Sequence, residues 1–154
     1  MADKTRPDVD DCNCFAVRSA ARHVTQLYDQ YLAPVGLRTT QFSILARLKR
    51  RGKLTINALA GEMAMDRSTL GRNIQPLERD GLIAIESDPS DLRAKVLRLT
   101  RDGEKRHEAA RKEWSQAQTY FESSFGVRRS AEMRELMRAV VASPFSNASD
   151  FPEV

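Results

Sequence analysis

The chain has 154 residues, 41% of them hydrophobic and 30% charged, which is enough for one domain or for a domain with an integral dimerisation appendage. No apolar run approaches the ~20 residues of a membrane span, and MADKTRPDVDD lacks a signal peptide's basic-then-apolar order, so a cytoplasmic protein is expected. The net charge of +4 is uneven: residues 38–106 hold 15 Lys and Arg against 9 Asp and Glu, and each flank carries one more acid than base. A basic segment favours a polyanionic partner, although a solvated surface explains a modest excess nearly as well.

In chain order, residues 1–11 are polar, with Pro7 and four aspartates, and predict a flexible tail. From about Asp11 to Tyr31, the 4,3,4,3 spacing of Val17, Ala21, Val24, Tyr28 and Tyr31 predicts a long helix that packs on other helices; Pro34 and Gly36 end it. Thr39 is placed to cap the next helix, in which Phe42, Leu45 and Leu48 face inward, Arg47 to Arg51 form a basic end, and Gly52 is the stop. Two short amphipathic helices follow. The first, behind Thr55, carries Ile56, Leu59, Ala60 and Met63 on one stripe; the second carries Leu70, Ile74 and Leu77 behind Asp66 and Ser68 as candidate N-caps. Ile83 with Ile85, and Leu97 with Leu99, predict two strands around a polar loop, Glu86–Ala94. Thr100 should cap a long helix through Phe125, with Ala110, Trp114, Ala117 and Phe121 on its apolar row and Gly126 as terminator. Ser130 is expected to begin a last helix bearing Met133, Leu136, Met137, Val140 and Val141, stopped near Ser143 and Pro144, and the tail 144–154 has no periodicity.

The expected fold class is mainly α with a small β-hairpin wing (α+β). A winged helix-turn-helix domain occupies 37–100, with dimerisation helices at 12–36 and 101–143. One small wing domain cannot bury the apolar faces of all three outer helices, so they are expected to pack against a second copy of the chain.

The outer face of the second short helix offers Arg67, Ser68, Thr69, Arg72 and Asn73. Guanidinium, hydroxyl and amide groups near the N-terminus of a half-buried short helix suit a DNA major groove; a solvated helix face with its cap is the plainer alternative. Gly71 lets the helix approach a groove closely, and Pro76, which removes a bond to the Arg72 carbonyl, should bend it late.

The order helix, turn, helix, hairpin, with DRSTLGRNIQPLERDGLI followed by SDPSDLRAKVLRLT, resembles the MarR family of bacterial regulators over roughly Cys14 to Val141. The resemblance implies a homodimeric repressor that binds a pseudo-palindromic operator in double-stranded DNA. It further implies release by a small aromatic or lipophilic effector or, alternatively, by thiol oxidation. It places Asp91 and Arg93 as the family's Asp-x-Arg at the wing tip, the arginine entering the minor groove and the aspartate holding it. Narrow A·T-rich minor grooves attract arginine, whereas a mere surface ion pair would be worth little. Leu92 stands where many members carry a second arginine, which leaves one minor-groove side chain per subunit, with Lys95 adding a phosphate contact. Arg38, Thr39 and Gln41, at the next helix N-terminus, could touch the DNA backbone.

The family's effector cavity implies His23, Tyr28, Phe42 and Trp114 as lining residues, although a hydrophobic core is the commoner use of such side chains. NCFAVRSAARHV resembles the first helix of hydroperoxide-sensing members, which makes Cys14 the candidate sensor and Cys12 a candidate resolving thiol. Those members hold the thiolate with tyrosine hydroxyls. Here Arg18 stands one turn on, where it could stabilise a thiolate by charge, and the second helix opens TQFSIL, with Phe42 and no tyrosine; the alternative is a small buried Cys14. A disulfide across two residues is strained. Cys12, Cys14, His23 and His107 lack metal-ligand spacing, and no cofactor is implied. There is no phosphate-binding glycine loop, HExxH or GxSxG, so no enzyme is expected; the one enzymatic alternative is a thiol peroxidase built on Cys14.

Overall fold

The computed structural model describes residues 8–145; most of both expected tails, residues 1–7 and 146–154, lie outside the described residues. A single 3-10 turn, Val9–Asp11, precedes helix α1, Asn13–Leu32, and a second, Ala33–Val35, follows it with Gly36 at φ +71°. The remaining elements are α2 (Thr39–Arg51), β1 (Leu54–Thr55), α3 (Ile56–Glu62), α4 (Arg67–Arg79), β2 (Ile83–Ser87), β3 (Lys95–Leu99), α5 (Arg101–Phe125) and α6 (Val127–Ala142). The chain divides between Gln118 and Thr119 into two compact units.

In the first unit, α2 is the central helix, packed on α1, α4 and β3. Four of its residues, Phe42, Ile44, Leu45 and Leu48, are therefore buried, one more than a single stripe predicts. They meet Leu59 of α3, Leu70, Ile74 and Leu77 of α4, Ile83 and Leu97 of the sheet, Leu32 of α1 and Ala110 of α5. The wing is a three-stranded antiparallel sheet ordered β1-β3-β2, not a bare hairpin. Leu54 pairs with Leu97 on one side of β3, and Ile83 and Ile85 pair with Leu99 and Leu97 on the other.

Several helix starts sit where the sequence placed them. Thr55 Oγ1 accepts the Ala58 N–H at 3.1 Å, Asp66 Oδ1 accepts the Thr69 N–H at 2.8 Å, and Thr100 Oγ1 accepts the Gly103 N–H at 3.0 Å. Others differ. Ser68 is the second residue of α4 rather than its cap, and its hydroxyl donates to the true cap, Asp66, at 2.6 Å. Thr39 is the first residue of α2 and caps nothing. Asp29 of α1 accepts both its N–H and its hydroxyl at 2.7 Å, and the cap position falls to Arg38, whose N–H donates to Gln41 Oε1 at 2.9 Å. The last helix starts at Val127; Ser130 is buried one turn inside it, donating to the Gly126 carbonyl at 2.8 Å. The α4 helix runs past Pro76 to Arg79.

The α5 helix is fastened to the end of α4. The Thr100 N–H donates to the Leu82 carbonyl at 3.1 Å, and the Thr100 hydroxyl donates to the Gly81 carbonyl at 2.6 Å. Gly103 then lies so close to Leu82 that no side chain fits there. The row Gly103, His107, Ala110, Trp114 and Ala117 faces the core, two turns longer than the apolar residues alone indicate. On α1 only Tyr28 and Leu32 are buried; Phe15 and Val17 are 63% and 40% exposed. In the second unit Leu136, Met137, Val140 and Val141 of α6 are likewise exposed, and Phe125 packs against Phe121 with its ring tilted and carries the Arg129 guanidinium over its ring.

Candidate nucleic-acid interface

The α3–α4 break turns on Ala64, at φ +50°, with the Met65 N–H donating to the Ala60 carbonyl at 3.0 Å. Leu70, Ile74 and Leu77 then bury one face of α4, and the opposite face, Ser68, Arg72, Gln75 and Arg79, is exposed. A Cβ at Gly71 would meet nothing within 4 Å. Gln75 and Arg79 extend this face beyond the residues named from sequence, although their spacing from Arg72 already implied it.

The N-terminal turn of α4 is organised by one carboxylate. Besides the Ser68 hydroxyl and the Thr69 N–H on Oδ1, Asp66 accepts the Thr69 hydroxyl on Oδ2 at 2.7 Å. The Ser68 hydroxyl, then the N–H and hydroxyl of Thr69, hold this carboxyl far below the usual carboxylate range. Arg72 Nη2 donates to Thr69 Oγ1 at 3.3 Å. Arg67 is exposed at the edge of the face. Asn73 is half-buried and its amide donates to the Thr69 carbonyl at 2.9 Å, so it supports the helix rather than facing outward.

At the wing tip, Asp88 Oδ1 accepts the N–H and hydroxyl of Ser90 at 2.9 and 2.7 Å, which keeps its carboxyl below the ordinary value. The Ala94 carbonyl accepts the Asp88 N–H, and the Asp91 carbonyl accepts the Ala94 N–H, both at 2.9 Å. The expected Asp91–Arg93 clamp takes another form. Asp91 Oδ1 accepts the backbone N–H of Arg93 at 3.0 Å, and among the described residues no ion pair joins the two side chains. Asp91 therefore shapes the turn that presents the guanidinium. Leu92 beside it is 77% exposed. Lys95 Nζ lies 3.3 Å from Ser87 Oγ. At the wing's base Glu86 accepts from Arg98 at 2.6 Å and from Lys53 at 3.2 Å, and these cations hold its carboxyl low.

Of the three residues expected to touch backbone from α2, Thr39 and Gln41 have the internal partners described above; the Arg38 guanidinium is exposed, 3.9 Å from Asp29.

The expected effector cluster is not assembled as a set. Phe42 stacks on Trp114 with centroids 5.9 Å apart, Tyr28 donates to Gln118 Oε1 at 2.6 Å, and His23 is exposed on α1. The residue that joins the aromatic pair is His107, nearly parallel to Phe42 with centroids 5.6 Å apart. Its buried Nδ1 has no hydrogen-bond partner, and burial pushes the imidazole below its ordinary pKa. Neither of two open clefts is lined by these side chains. One, of about 670 Å³, lies among Val35, Leu82, Lys105 and Arg106, and the other, of about 600 Å³, among Asp29, Leu37 and Arg38. Cys12 and Cys14 are both exposed in the single chain, and it is Cys12 Sγ that accepts the Phe15 N–H, at 3.4 Å, to cap α1. Among the described residues no group of three His, Cys, Asp or Glu is placed to hold a metal ion, and no helix is long and apolar enough to cross a membrane.

A helix-turn-helix with a three-stranded wing defines a winged-helix protein. The MarR family model matches residues 37–95, from just before α2 to the first residue of β3. The transcriptional regulator MosR of M. tuberculosis, solved in complex with DNA, is 34% identical; the match covers 87% of this chain and 99% of that one, with a TM-score of 0.75. The chain belongs to the MarR family, whose relatives here are regulators of transcription and not enzymes. The organic hydroperoxide resistance transcriptional regulator of Bacillus subtilis is 27% identical over 90 residues, 58% of this chain and 61% of that protein. The multiple antibiotic resistance protein MarR of Salmonella typhimurium is 31% identical over 78 residues, 51% of this chain and 54% of that protein.

Proposed function

We propose that the protein is a cytoplasmic, homodimeric repressor that binds a pseudo-palindromic operator through α4 and the wing and is released by a small aromatic or lipophilic effector. The observation that carries the reading is the exposed row Ser68, Arg72, Gln75 and Arg79 opposite the buried row of α4, in the same unit as a wing tip whose turn presents Arg93. Arg67, Arg72 and Arg93 supply donors for base edges and phosphates, and Arg38 and Lys95 add charge for the backbone. The MosR relative's complex with DNA agrees with this use. The exposed apolar residues of α1 and α6 are what a second copy would cover, setting two α4 helices about one DNA turn, ~34 Å, apart. For the effector, the Phe42–Trp114 stack with the unsatisfied Nδ1 of His107 would supply aromatic faces and one polar anchor to a ligand that parts this buried cluster.

A second reading, release by thiol oxidation, is favoured by two exposed thiols at the start of a 20-residue helix and by likeness to the Bacillus regulator. The thiol would attack a hydroperoxide O–O bond, becoming a sulfenic acid as the alcohol departs.

One titration tests the proposal: binding of the purified protein to a duplex that it selects from a random pool, followed with salt. With six or more phosphate contacts per complex, affinity should fall about a thousandfold between roughly 50 and 200 mM salt, with log K linear in log salt. A flat response would remove phosphate contact as the source of affinity. Repeating the titration with a phenolic acid or an organic hydroperoxide separates the two release mechanisms: loss with the first supports the effector, loss with the second that thiol reductant reverses supports the cysteines.

A further inference from the structure

We infer that Ser68 reads an exocyclic amino group in the major groove, adenine N6 or cytosine N4, by accepting a hydrogen bond from it. The inference rests on the proposal that α4 enters DNA, and it sets the polarity of that contact.

A serine hydroxyl has one proton and two lone pairs, and its versatility depends on the proton being free to turn. At Ser68 it is not free. Asp66 Oδ1 takes that proton at 2.6 Å, while Oδ2 takes the Thr69 proton at 2.7 Å. An O–H bonded to a carboxylate is a charge-assisted bond, stronger than one to a neutral base edge. The same carboxylate caps α4 through the Thr69 N–H, and this bond holds it in place beside the Ser68 hydroxyl. What Ser68 offers outward is lone pairs alone.

This fixes what can meet it. Phosphate oxygens, guanine O6 and N7, and thymine O4 are acceptors, and none pairs with a lone pair. The only major-groove donors are adenine N6 and cytosine N4. Thr69 is the weaker candidate, because it is half-buried and its Oγ1 already accepts Arg72 Nη2 at 3.3 Å. Ser68 and Arg72 stand one turn apart on the exposed face, so the row offers an acceptor first and a donor-only guanidinium next.

The test uses the duplex selected by the full-length protein, together with Ser68→Ala, an exposed change that leaves the Asp66 cap on the Thr69 N–H in place. Selection repeated with Ser68→Ala should flatten the preference at one position per half-site and keep the rest. The base there should be adenine or cytosine on the contacted strand. Replacing it by an analogue lacking only the amino group, purine for adenine or 2-pyrimidinone for cytosine, should cost the wild-type protein about five- to tenfold in affinity and Ser68→Ala nothing further. The inference is overturned if Ser68→Ala changes no position, if the amino-free analogue binds wild type at full strength, or if the analogue costs both proteins equally. Failure of both proteins to bind any duplex would instead bring down the DNA reading itself.

Discussion

Gly103→Ala should lower stability by about 3 kcal/mol, at the upper end of overpacking costs, seen as a thermal midpoint depressed by roughly 6–12 °C. A Cβ at this position would lie 1.9 Å from the Leu82 carbonyl oxygen and 2.9 Å from its carbon, with Leu99 Cδ2 at 3.2 Å. The first two are backbone atoms and cannot rotate away. They are also fixed, because the same carbonyl accepts the Thr100 N–H and the preceding one accepts the Thr100 hydroxyl. Either α5 lifts from the α4–β2 turn or that turn moves, and the turn is the end of α4. Weaker DNA binding should therefore accompany the lost stability. Gly71→Ala is the control: its Cβ would touch nothing within 4 Å, and alanine is the better helix former by about 0.5–1 kcal/mol. Equal melting of Gly103→Ala and wild type would refute the close approach of α5 to Leu82.

Arg93→Ala should weaken binding roughly tenfold or more on A·T-rich flanks and less on G·C-rich ones, since the narrow A·T groove concentrates the potential that draws the guanidinium in. Equal loss on both flanks would remove the minor-groove role. A companion substitution separates two accounts of the aspartate. Because Asp91 Oδ1 accepts a backbone N–H, Asp91→Asn keeps an acceptor in place and should bind within about twofold of wild type. An aspartate that acted by clamping the guanidinium would lose affinity on the same change.

What the sequence could and could not convey follows from where each contact originates. Asp66, Thr55 and Thr100 were legible because a cap and its N–H lie three residues apart, a local pattern. Thr39 carries the same local signature, but its partner is Asp29 on another helix, and this long-range bond moves the cap to Arg38. Ser68 and Asp66 are both good caps two residues apart, and only the folded turn shows that the first serves the second. Gly103 and His107 keep the 3.6-residue period of the α5 core row but have no apolar side chain to announce it. Leu82 selects the glycine, and stacking on Phe42 accounts for the histidine. The two-residue strand β1 is too short to show alternation and exists through its pairing with β3. The outward face of α4 was half legible: Arg67, Ser68, Thr69 and Arg72 stand near its N-terminus, whereas Asn73 turns to the Thr69 carbonyl and Gln75 and Arg79 take the outer positions.

The central claim is that two copies of this chain set α4 and the wing tip into neighbouring grooves of one duplex. Hydroxyl-radical footprinting on the selected duplex tests it most directly. The account predicts two symmetry-related protected blocks whose centres lie about 10 base pairs apart, each flanked on its outer side by a protected minor-groove stretch that Arg93→Ala exposes again. A single block, or paired blocks whose flanks are indifferent to Arg93, would contradict it.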